Sequence, residues 1–217
     1  MAGPRLLQVL DETTRAEVLR RAVRRRWRAG EVVFHQGDLG DTLHMVTKGT
    51  FDVRLSMSSG NSAILRLVPT GDHFGELALL GEVGRRSATV SAVTQAETLA
   101  LHRGDFEVMR ERHRGVDHLL IAALAERVHE LSEMVLESLH VSVDKRVYRK
   151  LVLLDEYRKV QGTEAIRIGQ SALADMVGAT RPTVNRILRR AEDQDAIELA
   201  RNSIRVLDRS RIERWGR

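Results

Sequence analysis

The sequence contains no cysteine among its 217 residues. A disulfide framework and any cysteine-ligated zinc or iron–sulfur site are therefore excluded. Hydrophobic runs are only a few residues long, far short of the roughly 20 residues that a membrane-spanning helix needs. No secretory signal peptide is recognisable at the start of the chain. Together these absences predict a cytoplasmic protein that does not enter the membrane.

Motifs of common enzyme classes are also missing. The sequence has no P-loop, no HExxH metalloprotease pattern and no GxSxG nucleophile elbow. Of its eight histidines, His118, His129 and His140 recur every 11 residues. On one helix, successive members lie about 16 Å apart, too far to share a metal ion. We therefore expect no catalytic residues and no metal site, and we interpret the histidines as a solvated helix face.

Charge is unevenly distributed along the chain. Residues 1–139 hold 18 Lys+Arg and 19 Asp+Glu, whereas residues 140–217 hold 17 and 11. The length allows one or two domains, and two domains of about 100 residues could each bury a core. A small basic module on a near-neutral body is typical of nucleic-acid binding. The alternative is a basic surface that is merely solvated.

The segment from Gly30 to Gly84 has the composition of strands and turns. It holds nine of the 16 glycines, and turn residues such as Gly37-Asp38 and Gly71-Asp72 separate short β-prone runs. Such spacing predicts a small antiparallel barrel or roll. The predicted strands cover residues 31–34, 42–46, 50–55, 63–68 and 88–92.

Residues 116–139 carry a helical pattern. Apolar side chains recur at intervals of three and four, which forms a seam along one face. The seam consists of the apolar residues Ile121, Leu124, Val128, Leu131 and Val135, and Ser138 continues the same spacing. Such a helix would be about 35 Å long. It could pack on its own domain, but we favour a seam between two copies of the chain.

Residues 170–188 fit a helix-turn-helix position by position. Leu173 and Val177 lie one turn apart on the first helix, and Gly178 stands where the turn requires a left-handed residue. Thr180 is a suitable N-cap for the second helix, and Pro182 suits its first turn. Residues 197–200 and 204–207 predict a β-hairpin after it, around a polar turn at 201–203. A helical hairpin of another small α domain is the alternative.

The second helix is basic at its start. In a helix-turn-helix these residues face base edges in the major groove, where arginine can bond guanine O6 and N7. We assign base contacts to Arg181 and Arg186 and phosphate contacts to Arg189, Arg190 and Arg201. Together with Arg190, the predicted DNA-binding residues are Gln170, Ser171, Thr180, Arg181, Pro182, Thr183, Arg186, Arg189 and Arg201.

A second motif lies in the N-terminal part. Gly75 and Glu76 precede the run Arg85-Arg86-Ser87 by about ten residues. Glycine lets backbone N–H groups approach an anion, and arginine offers a permanent charge and a fork for phosphate oxygens. A carboxylate would repel phosphate, so Glu76 is assigned to a sugar hydroxyl. The motif predicts a phosphate-plus-ribose site, although glutamate–arginine pairs are often structural.

With these motifs in this order, the chain resembles the cyclic-AMP receptor (catabolite activator) and FNR superfamily of bacterial transcription regulators. The resemblance runs nearly the full length, from the segment Arg28–Asp38 through the phosphate motif and the long helix to the winged helix-turn-helix. It implies a ribose side and a phosphate side of a cyclic-nucleotide pocket, and further contacts from the long helix. The implied ligand-binding residues are Gly75, Glu76, Leu77, Ala78, Arg86, Ser87, Ala88, Arg127, Leu131 and Ser132.

The resemblance also implies the architecture. We expect an α+β protein with an N-terminal antiparallel β-roll of jelly-roll type that binds a cyclic nucleotide (1–115). A long dimerisation helix (116–139) and a C-terminal winged helix-turn-helix DNA-binding domain (140–217) follow. The implied partners are a second copy of the chain, double-stranded DNA with an inverted repeat, and RNA polymerase. Cyclic AMP is the first candidate effector.

Two residues depart from the family pattern. Leu131 replaces a threonine that bonds adenine in the cyclic-AMP receptor, and Pro182 replaces a glutamate that accepts from cytosine. The identity of the base and the operator sequence are therefore left open. The alternatives are a regulator that responds to a different nucleotide and an effector-independent regulator with a vestigial pocket.

Overall fold

The computed structural model describes residues 4–56, 62–79, 84–113 and 115–217. The chain divides into two compact units, one of Met1–Leu55 with Arg66–Leu131 and one of Ser56–Leu65 with Ser132–Arg217. The expected α+β class is confirmed: antiparallel sheets occupy the N-terminal part and a helix-turn-helix lies at the C-terminal end.

Short antiparallel strands build the roll, and the predicted ones are present with shifts of one or two residues at their ends. The described strands are β1 (Val23–Trp27), β2 (Val32–Phe34), β3 (Leu39–Gly40), β4 (Thr42–Lys48), β5 (Thr50–Ser56), β6 (Ser62–Pro69), β7 (His73–Phe74), β8 (Gly84–Arg85), β9 (Thr89–Ala92) and β10 (Ala96–His102). One sheet has the order β1-β10-β4-β7 and another the order β2-β9-β5-β6, while β3 pairs with β8.

The start of the chain contains structure that the sequence patterns did not indicate. A 3₁₀ helix (Arg5–Val9) precedes helix α1 (Glu12–Arg21). The Asp11 carboxylate caps α1, because it accepts the Thr14 backbone N–H at 2.9 Å and the Thr14 hydroxyl at 2.7 Å. The arginine-rich strand β1 follows and pairs with β10 in antiparallel register.

Aromatic side chains fill the interior of the roll. The His44 ring stacks on Phe74 at a centroid distance of 5.0 Å, and Phe51 and Phe34 also contact Phe74. Trp27 meets His44 edge-on and donates its indole N–H to Thr98 Oγ1 at 3.0 Å. Burial lowers the pKa of His44 from 6.5 to about 3, so this ring is neutral at pH 7. The cluster fixes Phe74, the residue that precedes Gly75.

Two helices complete the first part of the chain. Helix α2 (Arg103–Arg112) leads into α3 (Val116–His140), which matches the predicted helix to within one residue. The first turns of α3 pack on the core of their own unit through Val116, Leu119 and Ala123. These turns therefore follow the alternative in which the helix packs on its own domain.

The rest of the predicted seam is largely uncovered. Ile121, Val128, Leu131 and Val135 are 45–62% exposed, whereas Leu124 is partly buried against the core. The side chain of Ser138 lies outside the described part of the chain. An apolar face of this extent remains available for a partner, and its use in dimerisation stays a prediction.

Residues after 141 correct one expectation. From Val141 onward the sequence pattern predicts only short helical segments, but the first helix, α4 (Val143–Gln161), has 19 residues and ends at Gly162, whose φ is +70°. Its buried face includes a charged residue, Asp155, which interrupts the apolar pattern. Arg158, Lys159 and Arg209 surround the Asp155 carboxylate at 2.7–3.5 Å. The charged residue on the buried face hides the helical period from sequence inspection.

The winged module follows α4. Helices α5 (Gln170–Val177) and α6 (Arg181–Glu192) precede a hairpin of β11 (Ile197–Ala200) and β12 (Ser203–Val206), and α7 (Arg209–Trp215) ends the chain. Both helices and the hairpin match the prediction. Backbone hydrogen bonds between Ile166 and Ile204 form an isolated antiparallel bridge beside the hairpin.

Candidate functional site

Arg86 lies at the centre of the candidate ligand site in the roll. The residue is only 8% exposed, and its Nη1 donates to the carbonyl oxygens of Thr42 at 2.9 Å and Gly75 at 3.4 Å. The guanidinium carbon lies 4.0 Å from the centroid of the Phe34 ring. Among the described residues, the buried Nε of Arg86 has no hydrogen-bond partner. A buried donor without an acceptor can be satisfied by an acceptor from outside the chain, such as an anion or a water molecule.

Two glycines make room for this guanidinium. A Cβ added at Gly75 would lie 2.7 Å from Nη1, and one added at Gly40 would lie 2.5 Å from Nε of Arg86. Gly75 also has a φ of +82°, a conformation that other residues rarely adopt. The backbone can therefore approach the arginine closely. The approach of backbone N–H groups to an anion at Gly75, which the sequence motif predicts, stays a prediction.

Burial and charge make this site favourable for an anion. Burial lowers the pKa of the Arg86 guanidinium, and the carboxylates of Asp41, Glu76 and Asp38 partly counter that effect. Arginine stays protonated in proteins, so the pocket holds a desolvated positive charge. Arg86 donates its described hydrogen bonds to carbonyl oxygens rather than to a carboxylate. A phosphate would therefore supply a full negative charge to a cation whose described bonds are to neutral groups.

The predicted ligand-binding residues near Arg86 in the sequence differ in their exposure to solvent. Glu76 begins a 3₁₀ helix (Glu76–Leu79) and is 7% exposed. Ala88 is buried, whereas Leu77 and Ser87 are exposed. The side chain of Ala78 lies outside the described part of the chain. A buried carboxylate beside a cation-lined pocket suits a sugar hydroxyl better than a phosphate.

The predicted ligand-binding residues on α3 are either bonded to other side chains or exposed. Arg127 donates to Glu130 at 2.8 Å, and Glu130 also pairs with Arg66 of β6 at 3.2 Å. Leu131 is 45% exposed. Ser132 is exposed, and it belongs to the second unit.

Several residues of this site were missed by sequence reasoning. Gly40, Thr42 and Phe34 contact or crowd Arg86, and Arg66 with Glu130 joins the roll to α3. Thr42 contributes a main-chain carbonyl, which leaves no mark on side-chain patterns. An arginine in a strand and a glutamate on a helix were visible in the sequence, but nothing there indicated that they meet.

The second candidate site is the helix-turn-helix. Leu173, Ala174 and Val177 of α5 are buried with Val184 and Ile187 of α6 in one core. Gly178 has a φ of +61° in the turn. These features confirm the predicted motif.

The start of α6 is capped as predicted. The Thr180 hydroxyl accepts the backbone N–H of Thr183 at 3.4 Å and lies 3.0 Å from the Thr183 hydroxyl. Pro182 occupies the first turn, where its missing N–H has no intrahelical partner to lose. Arg181, Pro182 and Arg186 are exposed, so the predicted reading face of α6 points to solvent.

A basic groove runs between the two helices and the wing. Its volume is about 1050 Å³, and its lining includes Arg167, Gln170, Ser171, Arg181, Arg189 and Arg201. Five of these six were predicted as DNA contacts, and Arg167 was missed. Asn202, with a φ of +55°, turns the wing so that Arg201 stands at its tip. Four guanidinium groups around one groove favour a polyanion.

Glu192 connects α6 to the wing, which is the hairpin of β11 and β12. Its carboxylate accepts the Leu199 backbone N–H at 2.9 Å and pairs with Arg189 at 2.6 Å. The bond from Leu199, followed by that from Arg189, lowers the pKa of Glu192. Gln170 on α5 accepts from Asn185 on α6 at 2.8 Å, which further fixes the two helices. Arg189 is thus oriented by a carboxylate, and it lines the groove together with Arg181 and Arg201.

No described helix is both long and apolar enough to cross a membrane. Within the described ranges, histidine and acidic side chains form no cluster of three or more that could hold a metal ion.

Comparisons with known proteins identify the domains in which the two candidate sites lie. Residues 24–113 match the model of the cyclic nucleotide-binding domain, and residues 145–215 match that of the Crp-like helix-turn-helix domain. The chain is 33% identical over 192 residues to the cyclic AMP receptor protein of Thermus thermophilus, covering 88% of this chain and 86% of that protein. It is 31% identical over 169 residues to the cAMP-activated global transcriptional regulator CRP of Escherichia coli, covering 76% and 80%.

A solved structure is similar over nearly the whole chain. The crystal structure of Thermus thermophilus catabolite activator protein superposes with a TM-score of 0.54 at 30% identity and covers 97% of both chains. The sequence and structural matches thus concern the same kind of protein.

Proposed function

The chain belongs to the cyclic-AMP receptor and FNR family of transcription regulators, and from that premise we propose that it is a dimeric regulator whose DNA binding is controlled by a 3′,5′-cyclic nucleotide in the roll. Its two domains are the cyclic nucleotide-binding roll and the Crp-like helix-turn-helix. Cyclic AMP is the first candidate effector, because the relatives at 31–33% identity are a cyclic AMP receptor and a cAMP-activated regulator.

The observation that supports ligand control most strongly is the environment of Arg86. Its guanidinium is buried against two glycines, and its Nε has no acceptor among the described residues. A cyclic phosphate would supply the missing acceptor and a compensating charge. In this arrangement Glu76 accepts from the ribose, and Gly75, Leu77, Ser87 and Ala88 form the walls.

The long helix supplies the base side of the proposed pocket. Arg127 and Leu131 belong to α3, and Ser132 would reach the base from the partner subunit in a dimer. Two copies of α3 would cover the exposed apolar residues Ile121, Val128 and Val135. Dimerisation through residues 116–139 and completion of the pocket would then be one event.

The proposed dimer reads an inverted repeat. Two-fold symmetry of the protein requires two-fold symmetry of the operator, with half-sites roughly 34 Å apart. Arg181 and Arg186 on α6 would read bases, and Arg167, Arg189, Arg190 and Arg201 would meet phosphates. A cytoplasmic location and a contact with RNA polymerase follow from the family resemblance and belong to the same proposal.

Calorimetric titration of the purified chain tests ligand control. We expect at least one of cyclic AMP, cyclic GMP and cyclic di-GMP to bind. Arg86→Ala should abolish detectable binding, because truncating a buried charge pair costs several kcal/mol, and Glu76→Ala should weaken it strongly. Arg85→Ala is the matched control, since Arg85 is exposed and donates to the Gly37 carbonyl. A native chain that binds no cyclic nucleotide but binds DNA specifically would support the effector-independent alternative instead.

A further inference from the structure

Arg66 and Glu130 form an ion pair at the junction of the roll and α3. Nη1 of Arg66 lies 3.2 Å from Oε1 of Glu130, and Arg127 donates to Oε2 at 2.8 Å. Arg66 also donates through Nη2 to the His73 carbonyl oxygen at 3.1 Å. His73 lies two residues before Gly75, so this pair and the Arg86 site share one backbone segment.

The pair contacts a residue of the proposed pocket, because Glu130 accepts from Arg127 at 2.8 Å. Glu130 directly precedes Leu131 and Ser132 on α3, and both of these are predicted base-side residues. Leu131 has no donor or acceptor, so it cannot read a base edge. Arg66 and Glu130 form a charged contact between the roll and the helix, one residue before Leu131 on α3. His73 Nδ1 and Glu126 Oε2 form another contact of this kind, at 3.8 Å.

Both partners keep capacity for further hydrogen bonds. A guanidinium has five donors and a carboxylate about four acceptor positions. Arg66 uses two nitrogens in the bonds described, and its buried Nε has no hydrogen-bond partner within the described residues. The Glu130 side chain is 29% exposed, so a ligand can reach it without displacing both arginines.

The chemistry of the pair matches guanine. Guanine presents the acceptors N7 and O6, where adenine presents N7 and an amino group. Guanine also carries donors at N1 and N2, which suit a carboxylate. An arginine offers donors only and a carboxylate offers acceptors only. Adenine would set its amino group against the donors of Arg66.

We infer that Arg66 and Glu130 are specificity-determining residues that give the pocket a second ligand, cyclic GMP, beside cyclic AMP. This inference rests on the proposed function, because it requires a cyclic nucleotide with its phosphate on Arg86 and its base beside α3. Arg66 bonds guanine O6 and N7, and Glu130 accepts from N1 and N2. Leu131 contributes only an apolar surface under either base.

Calorimetric titration of the full chain with cyclic AMP and cyclic GMP tests the inference. We expect the native protein to bind both, with affinities within about tenfold of each other. Glu130→Gln, which keeps the shape, and Arg66→Lys, which keeps the charge, should each lower cyclic GMP affinity by about tenfold or more. Cyclic AMP affinity should stay within about threefold in both variants.

The matched control is Arg110→Gln. It removes an ion pair of 2.6 Å to Asp117, which lies on α3 outside the pocket, and it should change neither affinity. Circular dichroism of each variant checks that it is folded. Native protein that binds cyclic AMP but not cyclic GMP overturns the inference and leaves the proposed function standing. Equal losses of both ligands in Glu130→Gln and Arg66→Lys also overturn it and identify the pair as a clamp on α3. Binding of neither ligand by the native chain overturns the proposed function itself, and the inference with it.

Discussion

Gly40 and Arg86 are packed so closely that a methyl group at residue 40 would lie 2.5 Å from Nε of Arg86. That nitrogen is the buried donor without a partner among the described residues. The absence of a side chain at residue 40 therefore determines where the guanidinium can lie. Residue 40 controls the site although it offers no side chain to a ligand.

Gly40→Ala should weaken cyclic-nucleotide binding by about tenfold or more. The added methyl group displaces the guanidinium from the Thr42 carbonyl, so Arg86 can no longer meet the phosphate in its present position. Titration calorimetry measures the effect. Gly104→Ala on α2 is the control, since a Cβ there meets nothing within 4 Å. Native affinity in Gly40→Ala would show that the ligand does not depend on this position of Arg86.

Val128→Glu should convert the dimer into a monomer that is still folded. Val128 is 62% exposed in the single chain, so the charge costs the monomer little, whereas in a paired seam it would be buried against its copy. Sedimentation velocity at micromolar concentration gives the mass. Leu124→Glu should also disrupt the dimer but destabilise the monomer as well, because Leu124 packs against the roll core. A native chain that sediments as a monomer contradicts the proposed interface.

Arg181→Ala and Arg189→Ala should affect DNA binding in different ways. Loss of a base contact by Arg181 should cost about 1–3 kcal/mol on the preferred operator and relax specificity at one position of each half-site. Loss of a phosphate contact by Arg189 should weaken all sequences alike and reduce the salt slope. Binding to a panel of single-base operator variants at several salt concentrations separates the two. A uniform loss across the panel in Arg181→Ala would remove its base-reading role.

Stability of the roll should fall on acidification through His44. Its pKa is about 3 in the folded chain against 6.5 in the unfolded one, so the unfolded state binds more protons between these values. The stabilisation from neutral His44 is complete above about pH 6.5 and is lost progressively as the pH falls toward 3. The urea midpoint should therefore drop between pH 7.5 and pH 5.0. His44→Phe keeps an aromatic ring against Phe74 and should show a smaller drop, and an equal drop would exclude His44 as a cause.

The parts of the fold that follow local rules were predictable from sequence. Gly178, Thr180 and Pro182 act within a few residues of their own position, through a left-handed turn, an N-cap and a first helical turn. The strands of the roll were visible because turn residues separate them. The same reasoning singled out Arg86, Gly75 and Glu76, since their chemistry depends on their own side chains or on a missing one, and their contacts with a ligand stay predictions.

Features that depend on long-range contact were not predictable. Strand β1 has four exposed residues in succession and no alternation, and it is a strand because it pairs with β10 some 70 residues later. Thr42 contributes only a carbonyl oxygen to Arg86, and Arg66 meets Glu130 across 64 residues of chain. No local sequence pattern encodes these contacts, because their partners are distant in sequence and come together only in the folded chain.

Glu192 receives a backbone bond from the wing and an ion pair from its own helix, so a direct hydrogen bond joins α6 to the wing. The distance between Arg181 on the helix and Arg201 on the wing tip is therefore set by the protein. An operator whose contact points are spaced differently has to change its own twist or bend to fit. Bases that touch no side chain would then influence affinity through the stiffness of the DNA between the contacts.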